Sequence, residues 1–132
     1  MLRVSGIIPE KIIPKGCWNH EIKLHFSMQR NGNSVIDSTG EEIVEVTTID
    51  KVLKRKKATF IKMDIEGAEL NELYGAKDAI QEYKPKMAIC IYHKLEDIWE
   101  IPSIILQYYS GYKLYIRHYS LTASETVLNA IP

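Results

Sequence analysis

Hydrophobic and polar residues alternate in two N-terminal stretches, and each stretch predicts a half-buried strand. From His20 to Met28 the apolar residues occupy every second position, and Glu42 to Ile49 repeats the pattern. We expect these two strands to pair in antiparallel fashion. The apolar pair Ile12-Ile13, before the turn signal Pro14-Lys15-Gly16, predicts a third short strand. A short helix over 51–57 is expected next, with Asp50 as its N-cap and a solvated basic end.

The pattern changes near residue 58, where strands and helices begin to alternate. Apolar residues at steps of three and four predict helices, and the continuous apolar run at 87–92 is typical of a strand buried on both faces of a parallel sheet. We expect Gly75 to mark close packing of a helix, Pro102 to open the main part of another, and Gly111 to end it as its C′ residue. The predicted elements are strand 58–64, helix 67–83, strand 87–92, helix 96–109 and strands 112–119 and 125–130.

This order favours an α/β fold, because strands that alternate with helices imply parallel crossovers. The last two strands are separated only by residues 120–124, so we expect them to form an antiparallel pair. The domain is then a single unit over 1–132, with a β-hairpin region and short helix at 1–57 and a βαβαββ part at 58–132.

Composition narrows the functional classes. The 132 residues carry 17 Lys and Arg against 17 Asp and Glu, which argues against a nucleic-acid partner bound through bulk charge. No apolar run has the length of a membrane helix, and the N-terminus lacks the apolar core of a signal peptide. Cys17 and Cys90 have no partner at metal-ligand spacing and are interpreted as reduced thiols. The sequence therefore predicts a soluble, cytoplasmic chain with no membrane partner.

Two segments carry the candidate chemistry, since ligands in open α/β sheets bind beyond the carboxyl ends of the strands. The first segment is 62–69, in which Lys62 and Asp64 share one face of a strand and Glu66 lies on the following turn. Asp64 and Glu66 are candidates to bind a polar ligand, coordinate a metal or accept a proton. The alternatives are a local ion pair for Lys62 with Asp64, an exposed turn acid for Glu66 and a helix-capping acid for Glu69.

The second segment is 92–94, at the end of the predicted buried strand. His93 is the best-placed acid or base in the chain, because the ordinary pKa of a histidine lies near ~6.5. A purely structural role for this histidine stays open. No metal site is assigned, although a metal shared by Asp64, Glu66 and His93 remains an alternative.

The block Phe60-Ile61-Lys62-Met63-Asp64-Ile65-Glu66-Gly67-Ala68-Glu69 resembles the FkbM family of methyltransferases. The resemblance extends through Val46–Asp50, Gly75-Ala76, Lys84-Pro85-Lys86 and Ile91-Tyr92-His93-Lys94 to Glu125–Leu128. It is dense from about residue 43 to 130. The ten-residue block is a much more specific signal than a lone glycine motif.

The resemblance implies a Rossmann-like class I methyltransferase sheet, S-adenosylmethionine as cofactor and, most often, methylation of an oxygen. Strand 58–64 would be the fourth strand of that sheet, 87–92 the fifth, and the final pair the sixth and seventh, with the third strand and a hairpin before residue 50. The expected fold is then a partial sheet equivalent to strands three to seven, without the first two strands and their cofactor-binding turns.

Two functions follow from the resemblance. The first is a truncated S-adenosylmethionine-dependent methyltransferase, acting on a hydroxyl of a sugar or small metabolite. Asp64 and Glu66 would face the cofactor, His93 or Asp64 would be the general base, and Lys62 would orient the carboxylates. The alternative is a non-catalytic remnant, or one half of a split protein, that associates through an exposed sheet edge.

Overall fold

Two four-stranded sheets and four helices make up the computed structural model, which describes residues 11–28, 34–36 and 39–132. The predicted strand at Ile12-Ile13 is not formed, because residues 11–14 are irregular and the first strand begins at Gly16. The predicted loop at 30–34 falls mostly outside the described residues. In chain order the elements are β1 Gly16–Cys17, β2 Ile22–Met28, β3 Ser34–Ile36, β4 Glu42–Thr47, α1 Ile49–Leu53, β5 Phe60–Met63, α2 Glu69–Tyr74, α3 Lys77–Tyr83, β6 Lys86–Cys90, α4 Asp97–Tyr108, β7 Lys113–His118 and β8 Thr126–Ile131.

The first sheet has the strand order β1-β4-β2-β3. β2 and β4 pair in antiparallel fashion, with Leu24 opposite Val44, which confirms the pairing predicted from their alternation. β1 adds to the other edge of β4 in parallel. The segment that leaves β1 is anchored on this strand, since the Trp18 N–H donates to the carbonyl of Thr47 at 2.8 Å.

The second sheet has the order β5-β6-β8-β7, with β5 and β6 parallel and the C-terminal strands antiparallel. β8 is inserted between β6 and β7, and its antiparallel pairing with β7 confirms the pair predicted from the short connection. The fold is therefore α/β and compatible with a partial Rossmann-like sheet. Among the described strands, β5 is at one edge with β6 as its single neighbour.

The hydrophobic core lies between one face of the second sheet and the helices α2, α3 and α4. In β5, Ile61 and Met63 point into this core, while Phe60 and Lys62 are exposed on the opposite face. β6 is less enclosed than its apolar run predicted, because Ala88 is only half-buried. Other core side chains are Leu73, Ile80, Met87, Ile89, Ile101, Ile105 and Leu128.

The single helix predicted over 67–83 is wrong, because the chain breaks at Gly75 into α2 and α3. Gly75 does mark a close approach, but the neighbour is the chain after β1 rather than the sheet. A Cβ at this position would lie 2.1 Å from the carbonyl oxygen of Trp18. The Gly75 carbonyl in turn accepts from the N–H of Asp50 at 3.0 Å.

Three predicted helix ends also need correction. Thr48, not Asp50, is the N-cap of α1, since its hydroxyl accepts from the N–H of Lys51 at 3.1 Å. Pro102 lies inside α4 rather than in its first turn. Gly111 is not the C′ residue, because α4 ends with Tyr109 as its C-cap, and the ring of Tyr109 covers the glycine.

Candidate functional site

The candidate site lies where β5 and β6 end side by side. Since the two strands are parallel, the turn after Met63 and the segment after Cys90 meet at the same edge of the sheet. The structure thereby brings together the four site residues predicted from the sequence, Lys62, Asp64, Glu66 and His93. It adds Glu69, whose side chain turns back from the start of α2 into the same cluster.

His93 is at the centre of this cluster, and its side chain is only 10% exposed. Its Nδ1 lies 2.9 Å from Oε1 of Glu69, a distance that suits an ion pair, although the two groups are not aligned for a hydrogen bond. Its Nε2 lies 3.7 Å from Oε2 of Glu66 and 3.9 Å from Oδ1 of Asp64. The ring of Tyr92 packs against the imidazole with the centroids 4.1 Å apart.

Glu69 is fully buried, with a side-chain exposure of 0%. Its Oε1 accepts a hydrogen bond of 3.0 Å from the N–H of Ile65, so the carboxylate fixes the turn that carries Glu66. Among the residues that the structure describes, none donates to its Oε2. The interpretation of Glu69 as a helix-capping acid needs correction, because its carboxylate binds the N–H of Ile65, ahead of α2, and lies beside His93.

Asp64 lies at the open side of the cluster and is 40% exposed. One oxygen lies 3.5 Å from Nζ of Lys62, which is the local ion pair foreseen from their shared face. The other oxygen accepts a long hydrogen bond of 3.4 Å from the Tyr92 hydroxyl. Burial of the phenol, followed by the nearby charge of Asp64, raises the pKa of Tyr92 to about 12, so the hydroxyl stays a donor.

Glu66 takes an unusual backbone conformation, with φ at 55° in the left-handed region. This conformation costs an L-residue roughly 1–2 kcal/mol, and such strain concentrates at functional sites. Gly67 follows at φ 92°, where a side chain would be strained and a Cβ would lie 3.1 Å from the Lys94 side chain. The pair makes a tight turn that presents the Glu66 carboxylate to His93.

Two further acids, Glu72 and Asp97, are buried behind the cluster. Burial, and then the neighbouring charge of Glu69, raises the pKa of both carboxyl groups above the ordinary range. A hydrogen bond with the Cys17 thiol partly offsets the effect on Glu72. Sequence reasoning missed this cluster, because both residues are on helices that predict solvated acids.

A cleft of about 460 Å³ opens beside the Glu66 turn, between that turn and the first sheet. Its walls are mostly apolar, and they include Trp18 and Phe26 from the first sheet side and Gly67 from the turn. Glu66 and Lys94 are the charged residues at its border. A small molecule in this cleft would meet mostly apolar surface, with the Glu66 carboxylate and the Lys94 ammonium at the border.

Comparison of the sequence with known protein families identifies the family of this chain. The sequence model for the methyltransferase FkbM domain matches residues 8–114, which include every member of the cluster. The chain belongs to the FkbM methyltransferase family. A search of curated proteins returned no match.

A solved structure supports the FkbM assignment. The crystal structure of methyltransferase FkbM from Methylobacillus flagellatus KT is 32% identical in sequence to this chain and superposes with a TM-score of 0.72. The match covers 89% of this chain and 27% of the other. The chain thus spans about a quarter of the length of that FkbM protein.

Among the described residues, no helix is both long and apolar enough to cross a membrane.

Proposed function

We propose that this FkbM domain takes part in S-adenosylmethionine-dependent methylation of a hydroxyl on a sugar or small metabolite. The observation that carries the proposal is the cluster of Asp64, Glu66 and His93 at the carboxyl edge of the parallel strands, beside an apolar cleft. Membership of a methyltransferase family supports the reaction class.

The cluster fits one end of the proposed cofactor. The carboxylates of Asp64 and Glu66 are partly exposed at the edge of the sheet, and anionic groups there suit the positive charges of S-adenosylmethionine. Asp64 and Glu66 would therefore contact the charged end of the cofactor.

The side chains of the cluster have distinct proposed roles. When bound, S-adenosylmethionine supplies an electrophilic methyl group. His93 or Asp64 would accept the proton of the acceptor hydroxyl, and Glu69 would hold the imidazole in place through Nδ1. Lys62 would hold the Asp64 carboxylate. Because methyl transfer needs the acceptor oxygen aligned, positioning by the cleft walls would supply a large part of the rate.

A direct test combines cofactor binding with turnover. We expect the chain to bind S-adenosylmethionine at micromolar affinity in calorimetric titration, and to release S-adenosylhomocysteine with a panel of sugar and alcohol acceptors. The variants Asp64→Asn and His93→Gln should each lower kcat/KM by about 100-fold, the lower end of the effect of removing an acid or base. His118→Gln is the matched control, since His118 is exposed on β7.

Two outcomes of these experiments would count against the proposal. Full activity of both Asp64→Asn and His93→Gln would remove these residues from the mechanism. A chain that binds no S-adenosylmethionine and turns over no acceptor would contradict the proposal for this chain.

A second candidate function is association with another chain through the edge of β5. Phe60 is 59% exposed on this strand, and a strand edge of this kind invites pairing. Sedimentation velocity across the micromolar range tests it: we expect a dimer that Phe60→Lys returns to monomer. A monomeric parent chain at every concentration would exclude self-association.

A further inference from the structure

The His93 imidazole is nine-tenths buried, yet neither of its ring nitrogens has a hydrogen-bond partner among the described residues. Two carboxylate oxygens face Nε2, Oε2 of Glu66 at 3.7 Å and Oδ1 of Asp64 at 3.9 Å. These distances are too long for hydrogen bonds. They are close to the separation of two ligands on one cation, because each ligand atom lies about 2.0–2.2 Å from a bound zinc ion.

The other ring nitrogen, Nδ1, lies beside a carboxylate, which is the neighbour that it has in many metal-binding histidines. Such histidines direct their second nitrogen to a carboxylate or carbonyl, which fixes the ring and its tautomer. Here Nδ1 lies 2.9 Å from Oε1 of the fully buried Glu69. Since Glu69 is itself fixed by the N–H of Ile65 at 3.0 Å, the imidazole is held with Nε2 toward the two exposed acids.

The charge balance of the cluster also favours a cation. Asp64, Glu66 and Glu69 surround one imidazole, and Lys62 is the ammonium paired with them, at 3.5 Å from Asp64. The second oxygen of buried Glu69 has no donor in the described part of the chain. One ligand atom each from Asp64, Glu69 and His93 also lie within 4.8 Å of one another, so the Glu69 carboxylate borders the same cluster.

We propose that Asp64, Glu66 and His93 bind one divalent transition-metal cation, with Glu69 behind the imidazole. The mixed imidazole and carboxylate set favours Mn²⁺ or Zn²⁺. Ca²⁺ is disfavoured, because it takes 6–8 oxygen ligands. This inference concerns cation binding alone and stands whether or not the chain transfers methyl groups. In the metal-bound form, neither Nε2 nor the Asp64 oxygen that holds the cation would be free to accept a proton.

Paramagnetic NMR of the complete chain with Mn²⁺ tests the site, because thiols compete poorly for this ion. In ¹H–¹⁵N spectra, substoichiometric Mn²⁺ should broaden the amide signals of residues 64–69 and 92–94 first. The broadening should saturate at one ion per chain. Signal loss spread evenly over the acidic surface, or no saturable binding at millimolar Mn²⁺, would overturn the proposal.

Variants identify the ligands. His93→Gln and Asp64→Asn should each weaken Mn²⁺ binding at least 10-fold, as loss of a metal ligand or its support does. Glu66→Gln should also weaken it, and since Glu66 is 63% exposed, its loss leaves the core intact. Circular dichroism verifies the fold of each variant, and exposed Glu82→Gln is the matched control. Unchanged binding in a folded Glu66→Gln or Asp64→Asn chain would contradict the assignment.

Lys62 provides a test in the opposite direction. Its ammonium competes with a cation for Asp64, and at 63% exposure it supports no core contact. Lys62→Met should therefore tighten Mn²⁺ binding by roughly 3- to 10-fold, as expected for one exposed charge near the site. Weaker binding in this variant would show that the cluster does not act as a cation site.

Discussion

At the scale of single residues, Glu72 is the clearest case of a carboxyl group that opposes folding at neutral pH. Burial raises its pKa, so the folded chain holds the proton that the unfolded chain releases. Below about pH 4.3, the ordinary pKa of a glutamate, both states are protonated and the group has no effect. As the pH rises from there through the raised pKa, the free energy of unfolding falls, and it then stays low.

The variant Glu72→Gln removes this loss. We expect it to increase the free energy of unfolding at pH 7.5 by about 1 kcal/mol, or roughly 4 °C in Tm, with little gain near pH 4. Urea unfolding of both chains at the two pH values measures the difference. Exposed Glu82→Gln should show no such pH-dependent gain. A gain for Glu72→Gln of equal size at both pH values would show that burial of the charge is not its cause.

The cluster consists of the His93 imidazole and three carboxylates, and the sequence predicted all of these site residues except Glu69. Asp64, Glu66 and His93 follow strand ends, and parallel strands bring their ends together. Glu69 could not be recognised, because an acid in the first turn of a helix ordinarily faces solvent. Its burial depends on the left-handed turn at Glu66, and nothing in the local pattern indicates that conformation.

At the scale of elements, Asp50 connects two helices. It lies in the first turn of α1, but its two carboxylate oxygens accept from the N–H groups of Asp78 and Ala79 at 3.0 and 2.8 Å. It therefore caps α3, a helix with no side-chain cap of its own at Ala76. The sequence predicted correctly that Asp50 caps a helix. It predicted the wrong helix, because the N–H groups that Asp50 binds begin 28 positions further along the chain.

Asp50→Ala should cost about 1–2 kcal/mol of stability, as for other lost caps. Asp50→Asn should cost less, because the amide oxygen still accepts one bond. The midpoint of urea unfolding measures both effects. Exposed Asp78→Ala serves as the control and should cost little. Equal losses for Asp50→Ala and Asp78→Ala would mean that the two hydrogen bonds contribute nothing.

At the scale of the whole molecule, the contact of Gly75 with Trp18 holds the first sheet against the helices. Two hydrogen bonds accompany this contact. The Asn19 side chain donates to that of Asn71 at 3.1 Å, and the Cys17 thiol donates to the Glu72 carboxyl group. This long-range packing splits the helix that periodicity predicted as continuous. The local alternation of apolar residues predicted the pairing of β2 with β4. The packing of the first sheet against the helices depends on the backbone conformation, which no local residue pattern predicts.

Gly75→Ala tests this docking. In an ordinary helix the change would stabilise the chain by roughly 0.5–1 kcal/mol, because glycine is the poorer helix former. Here the new Cβ would meet the Trp18 backbone, so we expect a loss of about 2 kcal/mol or more. Urea unfolding measures the loss, and tryptophan fluorescence, to which Trp18 and Trp99 both contribute, follows the transition. Gly111→Ala is the comparison variant, because a Cβ there would meet the side chain of Tyr109 rather than backbone atoms. A stabilised Gly75→Ala chain would show that the two parts are only loosely joined.

The position of β8 sets the order in which the molecule can be made. β6 and β7 have no hydrogen bonds to each other, and both pair only with Thr126–Ile131 on this side of the sheet. In a nascent chain that ends at residue 125, β6 can therefore pair only with β5, and β7 has no partner strand in this sheet. Folding of this half must wait for the last strand, and a nascent chain stalled before it would expose apolar edges to chaperones and to aggregation.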